Sequence, residues 1–414
     1  MSRSDAPTAA AGAPPVDDAD RRARTAALAC MVGLAVVLGV GRFAFTPLLP
    51  LMLADGSIGL KAGGWLASAN YAGYFVGAVS CAAVRIAPAR MVRFGLVATV
   101  LLTAAMGVGH LLPVWLAVRF VAGVVSAWTF VFVSQWGLRR LAELHAPEWS
   151  GVIYAGPGVG IVVTGLIGSA LVGQRAASGW LGFAALSAVL SVAIWRTFAV
   201  APAQAGAPGG AAPHAAAATA AMPAQPRGHR ADAAWLVVLY GMPGFGYIIT
   251  ATFLPVIARA ALPAGSPWPD LFWPMFGAAL IVGAITAARL PGHWDNRLLL
   301  AAGCATQALG IAAGIVWPNA AGFSVGSALL GLPFTAITLF AMREARRLHG
   351  ERAAGLMGYA TASYGVGQIL GPLVAAPLAA RFGSFSPALW VAVAALLLGA
   401  AGFAATAVRG RLQP

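Results

Sequence analysis

Two arginines, Arg42 and Arg119, stand inside long apolar segments of this sequence, whereas its 12 acidic residues fall in tails, loops and segment ends, with Asp55 and Asp270 nearest the apolar runs. Ionisable groups inside a bilayer are costly, so each one marks function by default and demands a partner. A guanidinium presents a planar fork of N–H donors that fits a carboxylate or phosphate bidentately. With no acid in reach along the chain, Arg42 is predicted to contact an anionic substrate, and Arg119 to share the same cavity. The competing reading is structural, with either cation satisfied by backbone carbonyls and buried water. Asn70, Tyr71, Trp128, Tyr247 and Gln368 lie deep in the same segments and are predicted as further substrate contacts. Tyr74, Gln135, Tyr154, Tyr240, Gln307, Tyr359 and Tyr364 are additional cavity candidates.

The elements that must position these groups are membrane helices. The 414 residues are 60% hydrophobic and 9% charged, with a mean hydropathy of +0.81, whereas soluble domains carry about 25% charged residues. Apolar runs long enough to cross a bilayer recur throughout, and they are solid rather than alternating, which excludes an outer-membrane barrel. The runs predict an all-α polytopic protein with twelve transmembrane helices, at 25–53, 62–84, 91–110, 113–137, 150–172, 180–199, 233–258, 269–288, 298–317, 320–342, 354–379 and 386–408. Residues 1–24 read as a disordered cytoplasmic tail, 25–199 as one six-helix bundle, 200–232 as a flexible Ala/Pro/Gly-rich linker, 233–408 as a second bundle and 409–414 as a tail. The apolar run that follows Arg21, Arg22 and Arg24 is too long for a cleavable signal.

The formal net charge of +14 has a topological explanation. Lys61, Arg175, Arg259 and Arg381 fall on the outer side and Arg42 and Arg119 within helices; the rest of the 26 Lys/Arg fall on the side shared by both termini and the linker. That asymmetry predicts cytoplasmic termini in a multi-pass plasma-membrane protein of the bacterial inner-membrane type. The charge then reports contact with the lipid bilayer, and no nucleic-acid partner is expected. Cys30, Cys81 and Cys304 show no disulfide or metal spacing, and no P-loop, dinucleotide fingerprint or catalytic triad appears. Neither an enzyme nor a bound cofactor or metal is expected.

The stretch GVGRFAFTPLLP, residues 39–50, surrounds Arg42 with helix breakers. Pro47 and Pro50 each lack an N–H, which frees the carbonyls of Phe43 and Thr46, and Gly39 and Gly41 add thin packing surface. A breakable helix beside a watery path is the predicted result. Gly156, Pro157 and Gly160 in helix five, and Gly371 and Pro372 in helix eleven, are predicted bends with small-residue packing faces. The chain also repeats itself at a nearly constant spacing. Leu49-Pro50 recurs as Leu254-Pro255, Arg85 as Arg289, and Leu144-His145 as Leu348-His349. The repeat sets Arg42 opposite Tyr247 and Arg119 opposite Phe323, so the positive charge belongs to one half alone.

Two six-helix repeats around a central cytoplasmic loop resemble the major facilitator superfamily. AVRFVAGVVSAW in helix four is similar to its R-F-x-x-G motif, and AGPGVGIVVTG in helix five resembles the G-P-x-x-G motif of its proton-coupled antiporters. GRFAFTPLLPLM and GGWLASANYAGYFVGA are similar to the YbfB/YjiJ-type branch. The loop CAAVRIAPARMVR departs from the superfamily pattern, carrying Arg85, Arg90 and Arg93 but no acid, whereas its second copy, RLPGHWDNR, has Asp295. The resemblance implies a secondary active transporter working by alternating access, with protons as coupling ion. Together with the two arginines it predicts a small organic anion or amphiphilic metabolite as substrate, carried by a monomer. The alternative within transport is a proton-coupled efflux antiporter for drugs or hydrophobic cations, against which the missing cavity acid argues. A non-transporting membrane sensor is the remote alternative.

Overall fold

The computed structural model describes residues 16–199, 227–350 and 353–412, and these are helical apart from short connections. Among the described residues eleven helices are long and apolar enough to cross a membrane. A further helix of matching length, Leu60–Ser80, falls outside that set. Its Ser68, Asn70 and Tyr71 are buried against neighbouring helices, so its polarity is turned inward.

Helix one is composite, with α-helix Val16–Leu34, π-helix Ala35–Phe43 and α-helix Phe45–Ala54. Helices two to six are Leu60–Ser80, Pro88–Val108, Leu112–Glu143, Ser150–Ala170 and Ala176–Ile194. Helices seven to nine are Arg227–Ala261, Trp268–Ala288 and Asn296–Val316. Helix ten is interrupted before Pro333, giving Ala320–Gly331 and Phe334–His349, and helices eleven and twelve are Ala354–Phe382 and Ser386–Leu412.

The helix ends differ from the sequence expectation. Helix one reaches back to Val16, so residues 16–24 are not a disordered tail but its first turns. That extension is held where Asp20 accepts a hydrogen bond from Trp149 Nε1 at 3.2 Å. Helix seven starts at Arg227 rather than 233, its added residues reading RGHRAD. Helix twelve runs to Leu412, past the boundary expected at 408. The remainder of the predicted linker, 200–226, and the first fifteen positions of the predicted tail lie outside the described residues.

Glycines set the closest helix crossings. A Cβ on Gly39 would lie 2.5 Å from the Gly160 Cα, so helices one and five meet backbone to backbone. The repeat places Gly244 and Tyr364 at the same positions in helices seven and eleven, where a Gly244 Cβ would lie 2.4 Å from the Tyr364 carbonyl oxygen. Gly156 packs on the Met31 carbonyl of helix one, while Gly158 and Gly165 face Ile281 and Pro274 of helix eight in the other half. Helix five continues through Pro157, and helix eleven through Pro372. The glycines at the predicted bends pack on neighbouring helices, Gly371 on Ile248 of helix seven.

The connection ends of the halves differ in charge. In the C-terminal half Asp295 caps helix nine by accepting from the Arg297 N–H at 2.9 Å. Arg297 pairs with Asp295 at 3.1 Å and faces Glu344 at 3.8 Å, which Arg347 holds at 2.7 Å. In the N-terminal half Arg93 donates to the Trp195 carbonyl at 3.0 Å and lies 4.8 Å over its ring.

Candidate functional site

Helix one supplies the centre of the site. All nine residues of its π-helix, Ala35–Phe43, are buried. In a π-helix each carbonyl bonds five residues ahead, and such segments gather at functional sites. Where it returns to α-geometry, Arg42 would use the N–H of residue 47 in π register, and Phe43 would use it in α register. Residue 47 is proline and has none. The junction is completed from helix four: Arg119 Nη1 donates to the Gly41 carbonyl and Nη2 to the Arg42 carbonyl, both at 3.4 Å. Its Nε reaches the Leu66 carbonyl of helix two at 3.5 Å, and its guanidinium lies 4.7 Å from the Phe45 ring centre. Arg119 is 2% exposed and directs its donors at main chain. It is the tie that lets helix one break.

Arg42 is held differently. Its Nη2 donates to Gln368 Oε1 of helix eleven at 3.0 Å. Gln368 Nε2 in turn donates to the Tyr247 hydroxyl of helix seven. Aromatic rings surround the cation, with centres 4.2 Å away for Tyr74, 5.1 Å for Tyr71 and 5.3 Å for Phe43. Arg42 Nε is buried without a hydrogen-bond partner. The charge is thus stabilised by a neutral amide and by ring faces, each worth less than an ionised partner.

The structure brings Arg42, Tyr71, Tyr247 and Gln368 together and leaves three predicted contacts elsewhere, of which Arg119, expected to share the cavity, is the main-chain tie just described. Asn70 donates to the Arg119 carbonyl at 2.9 Å, tying helix two to helix four. Trp128 is not at the centre: its Nε1 donates to Ser80 Oγ at 3.0 Å, near the far end of helix two. Sixteen residues of helix register separate it from the start of helix four, and depth along one helix does not give the facing direction.

Hydrogen bonds join the halves at the Arg42 level and beyond it, toward the end away from the termini. Besides Arg42–Gln368 they are Ser68 Oγ to the Ile369 carbonyl at 2.8 Å, the Tyr71 and Thr252 hydroxyls at 2.9 Å, and Thr46 Oγ1 to the Ala251 carbonyl at 3.0 Å. The last has a direct cause. Pro255 gives no N–H to Ala251 four residues earlier, and Thr46 from the opposite half supplies the donor. Thr46 and Thr252 were not among the predicted site residues. Their signal in sequence is a hydroxyl three or four residues before the prolines of the duplicated Leu-Pro pairs.

Comparison with known proteins follows this geometry. Residues 34–403 match the family described as the uncharacterised MFS-type transporter YbfB. No curated protein matches the sequence. Among solved structures, the chain is similar to the nucleoside transporter NupG, with a TM-score of 0.71, 13% identity, and coverage of 92% of this chain and 99% of that one. It is also similar to a D-xylose–proton symporter, with a TM-score of 0.68, 12% identity, and coverage of 92% and 97%. These identities carry the fold alone.

Proposed function

The chain belongs to the YbfB-type family of MFS transporters, and on that premise we propose that it moves a small organic anion or amphiphilic metabolite by alternating access, using Arg42 as the anion's anchor. Transport rather than catalysis is the activity. The carrying observation is that Arg42, 6% exposed at a break in helix one, is held by a neutral side chain from the opposite half while its Nε lacks a partner. A carboxylate offers a stronger, bidentate partner than the Gln368 amide and displaces it. Because that amide links helix one to helix eleven, the same displacement loosens the two halves. Substrate binding is thereby coupled to their relative motion, the behaviour expected of duplicated bundles around a midplane site.

The distribution of Lys and Arg supports cytoplasmic termini in an inner membrane. In that orientation the joined ends of the halves face outward, so the path to the outside is closed in this state. Protons are the proposed coupling ion and the protein acts as a monomer in the bilayer. Among the described residues no carboxylate contacts Arg42, so the anchor itself is not the proton carrier. In membrane vesicles Arg42→Ala is expected to abolish uptake or efflux of an organic acid, and Arg42→Lys to weaken it about tenfold or more by removing the fork. Unchanged transport in both variants overturns the anion anchor. Collapse of the pH gradient without loss of transport removes the proton coupling.

A further inference from the structure

Rings continue from the arginine around the whole centre. Tyr240 stacks on Tyr364 at 4.8 Å, and Tyr364 on Tyr247 at 5.8 Å. Tyr247 meets Phe334 edge-on at 4.9 Å, and Phe334 meets Phe276 at 5.8 Å. Phe276 lies parallel to Trp273 at 5.0 Å, and Trp273 meets Phe43 at 6.0 Å. Phe43 is the neighbour of Arg42, and Tyr247 is joined to Arg42 through Gln368. Helices seven, eleven, ten, eight and one thus form one aromatic collar, closed by a cation and an amide.

Two N–H donors on this collar lack acceptors. One is Arg42 Nε; the other is the indole Nε1 of Trp273, a residue only 1% exposed. A buried donor without an acceptor is destabilising, and an indole N–H can only donate. The separation of the two residues is no more than the sum of the Arg42–Phe43 and Phe43–Trp273 distances, 5.3 and 6.0 Å. That upper limit bounds the reach a ligand needs to touch both residues, and one substituted aromatic ring falls within it.

We propose that the anion taken by this site is a planar aromatic carboxylate bearing a second acceptor on the ring, such as a hydroxybenzoate; this rests on the anchor reading of Arg42. Gln368 occupies the place of the carboxylate in the present state. Its amide accepts from Arg42 and donates to Tyr247, whereas a carboxylate accepts from both, the tyrosine hydroxyl turning round to donate. The ring lies among the collar's faces and edges, where aromatic pairs gain beyond simple burial. The acceptor at its far end meets the Trp273 indole N–H.

The test is equilibrium binding to the purified full-length protein with three probes: benzoate, 4-hydroxybenzoate and cyclohexanecarboxylate. The last has the size and charge of benzoate but no flat ring. Benzoate is expected to bind about fivefold tighter than cyclohexanecarboxylate. The hydroxyl should improve binding further, and Trp273→Phe should erase that increment, read as the ratio of 4-hydroxybenzoate to benzoate affinity within the variant. Should Trp273→Phe fail to fold, Phe43→Leu reads the flat-ring preference instead, which it should diminish. Equal binding of the flat and puckered acids, both lost in Arg42→Ala, overturns the aromatic class and leaves the anion anchor standing. Binding of no carboxylate, or binding indifferent to Arg42→Ala, overturns the anchor and the aromatic class together.

Discussion

Residues 39–50 and 244–255 carry the same Gly-x-Gly and Leu-Pro frame, but the backbone treats the two copies differently. In helix one the frame spans a π-helix and its exit, with arginine at the fourth position. In helix seven the frame lies in one continuous helix, with Tyr247 at that position. Each copy has a proline that leaves a carbonyl without its ordinary donor, and each is rescued from outside its own helix. Helix seven is rescued by one hydroxyl, Thr46, across the halves. Helix one is rescued by a charged residue, Arg119, within its own half. The charge that enters the membrane as a repair is therefore distinct from the charge that faces the collar. Two intramembrane cations with one sequence signature do opposite jobs, and the difference lies in what their donors touch.

Removing the repair should produce the largest effect. Arg119→Ala deletes three charge-assisted bonds and orphans buried carbonyls, at a cost of at least about 3 kcal/mol. It should lower the yield and melting temperature of detergent-solubilised protein far more than Arg42→Ala does. A destabilisation by Arg42→Ala as large as that of Arg119→Ala would erase the distinction between them. Next come the crossings. Gly39→Ala and Gly244→Ala both drive a methyl into backbone, for about 1–3 kcal/mol each if the two frames are mechanically equal. A tolerated Gly244→Ala beside a disruptive Gly39→Ala, read by thermal unfolding, would show that only the broken helix is held rigidly. Thr46→Val leaves the Ala251 carbonyl unsatisfied and should cost about 1–2 kcal/mol in the same assay.

The smallest effect contrasts the charged connections. Burial raises the Asp295 carboxyl, but the hydrogen bonds from the Arg297 side chain and N–H, with the Arg297 and Arg347 charges, bring it below its ordinary 3.8. A carboxyl lowered in the folded state stabilises fully above its ordinary value and loses that contribution as pH falls through the lower folded value. Asp295→Asn should remove this acid-dependent part of the melting curve. The N-terminal half has no counterpart at Arg93, so the loss should be confined to the C-terminal bundle, as hydrogen exchange can resolve.

Hydropathy marks eleven of the helices, because a bilayer allows long apolar segments few other structures, while helix two, with its polar side chains turned inward, falls outside that set. It also exposed Arg42 and Arg119, since intramembrane charge is rare enough to stand out. The roles were less legible. Pro47 announced a freed carbonyl at Phe43, but the π-register that shifts the need to Arg42 has no sequence periodicity of its own. Gln368 was visible as a polar group near the right depth. That it meets Arg42 depends on how helices one and eleven face each other across 326 positions of chain. Trp128 failed for the same reason in reverse, since its depth was read without its facing direction.

The distances along the chain between partners also imply an order of manufacture. Helix one precedes its partners along the chain, carrying a mid-helix cation and a broken backbone. The residue that completes that backbone, Arg119, arrives 77 positions after the Arg42 carbonyl it binds, when helix four is made. The Ala251 carbonyl that accepts from Thr46 follows 205 positions after that threonine, and Gln368 comes 326 positions after Arg42. The rings of Tyr71 and Tyr74 arrive with helix two, so until helix eleven is made the Arg42 guanidinium has aromatic faces around it but lacks its side-chain hydrogen-bond partner.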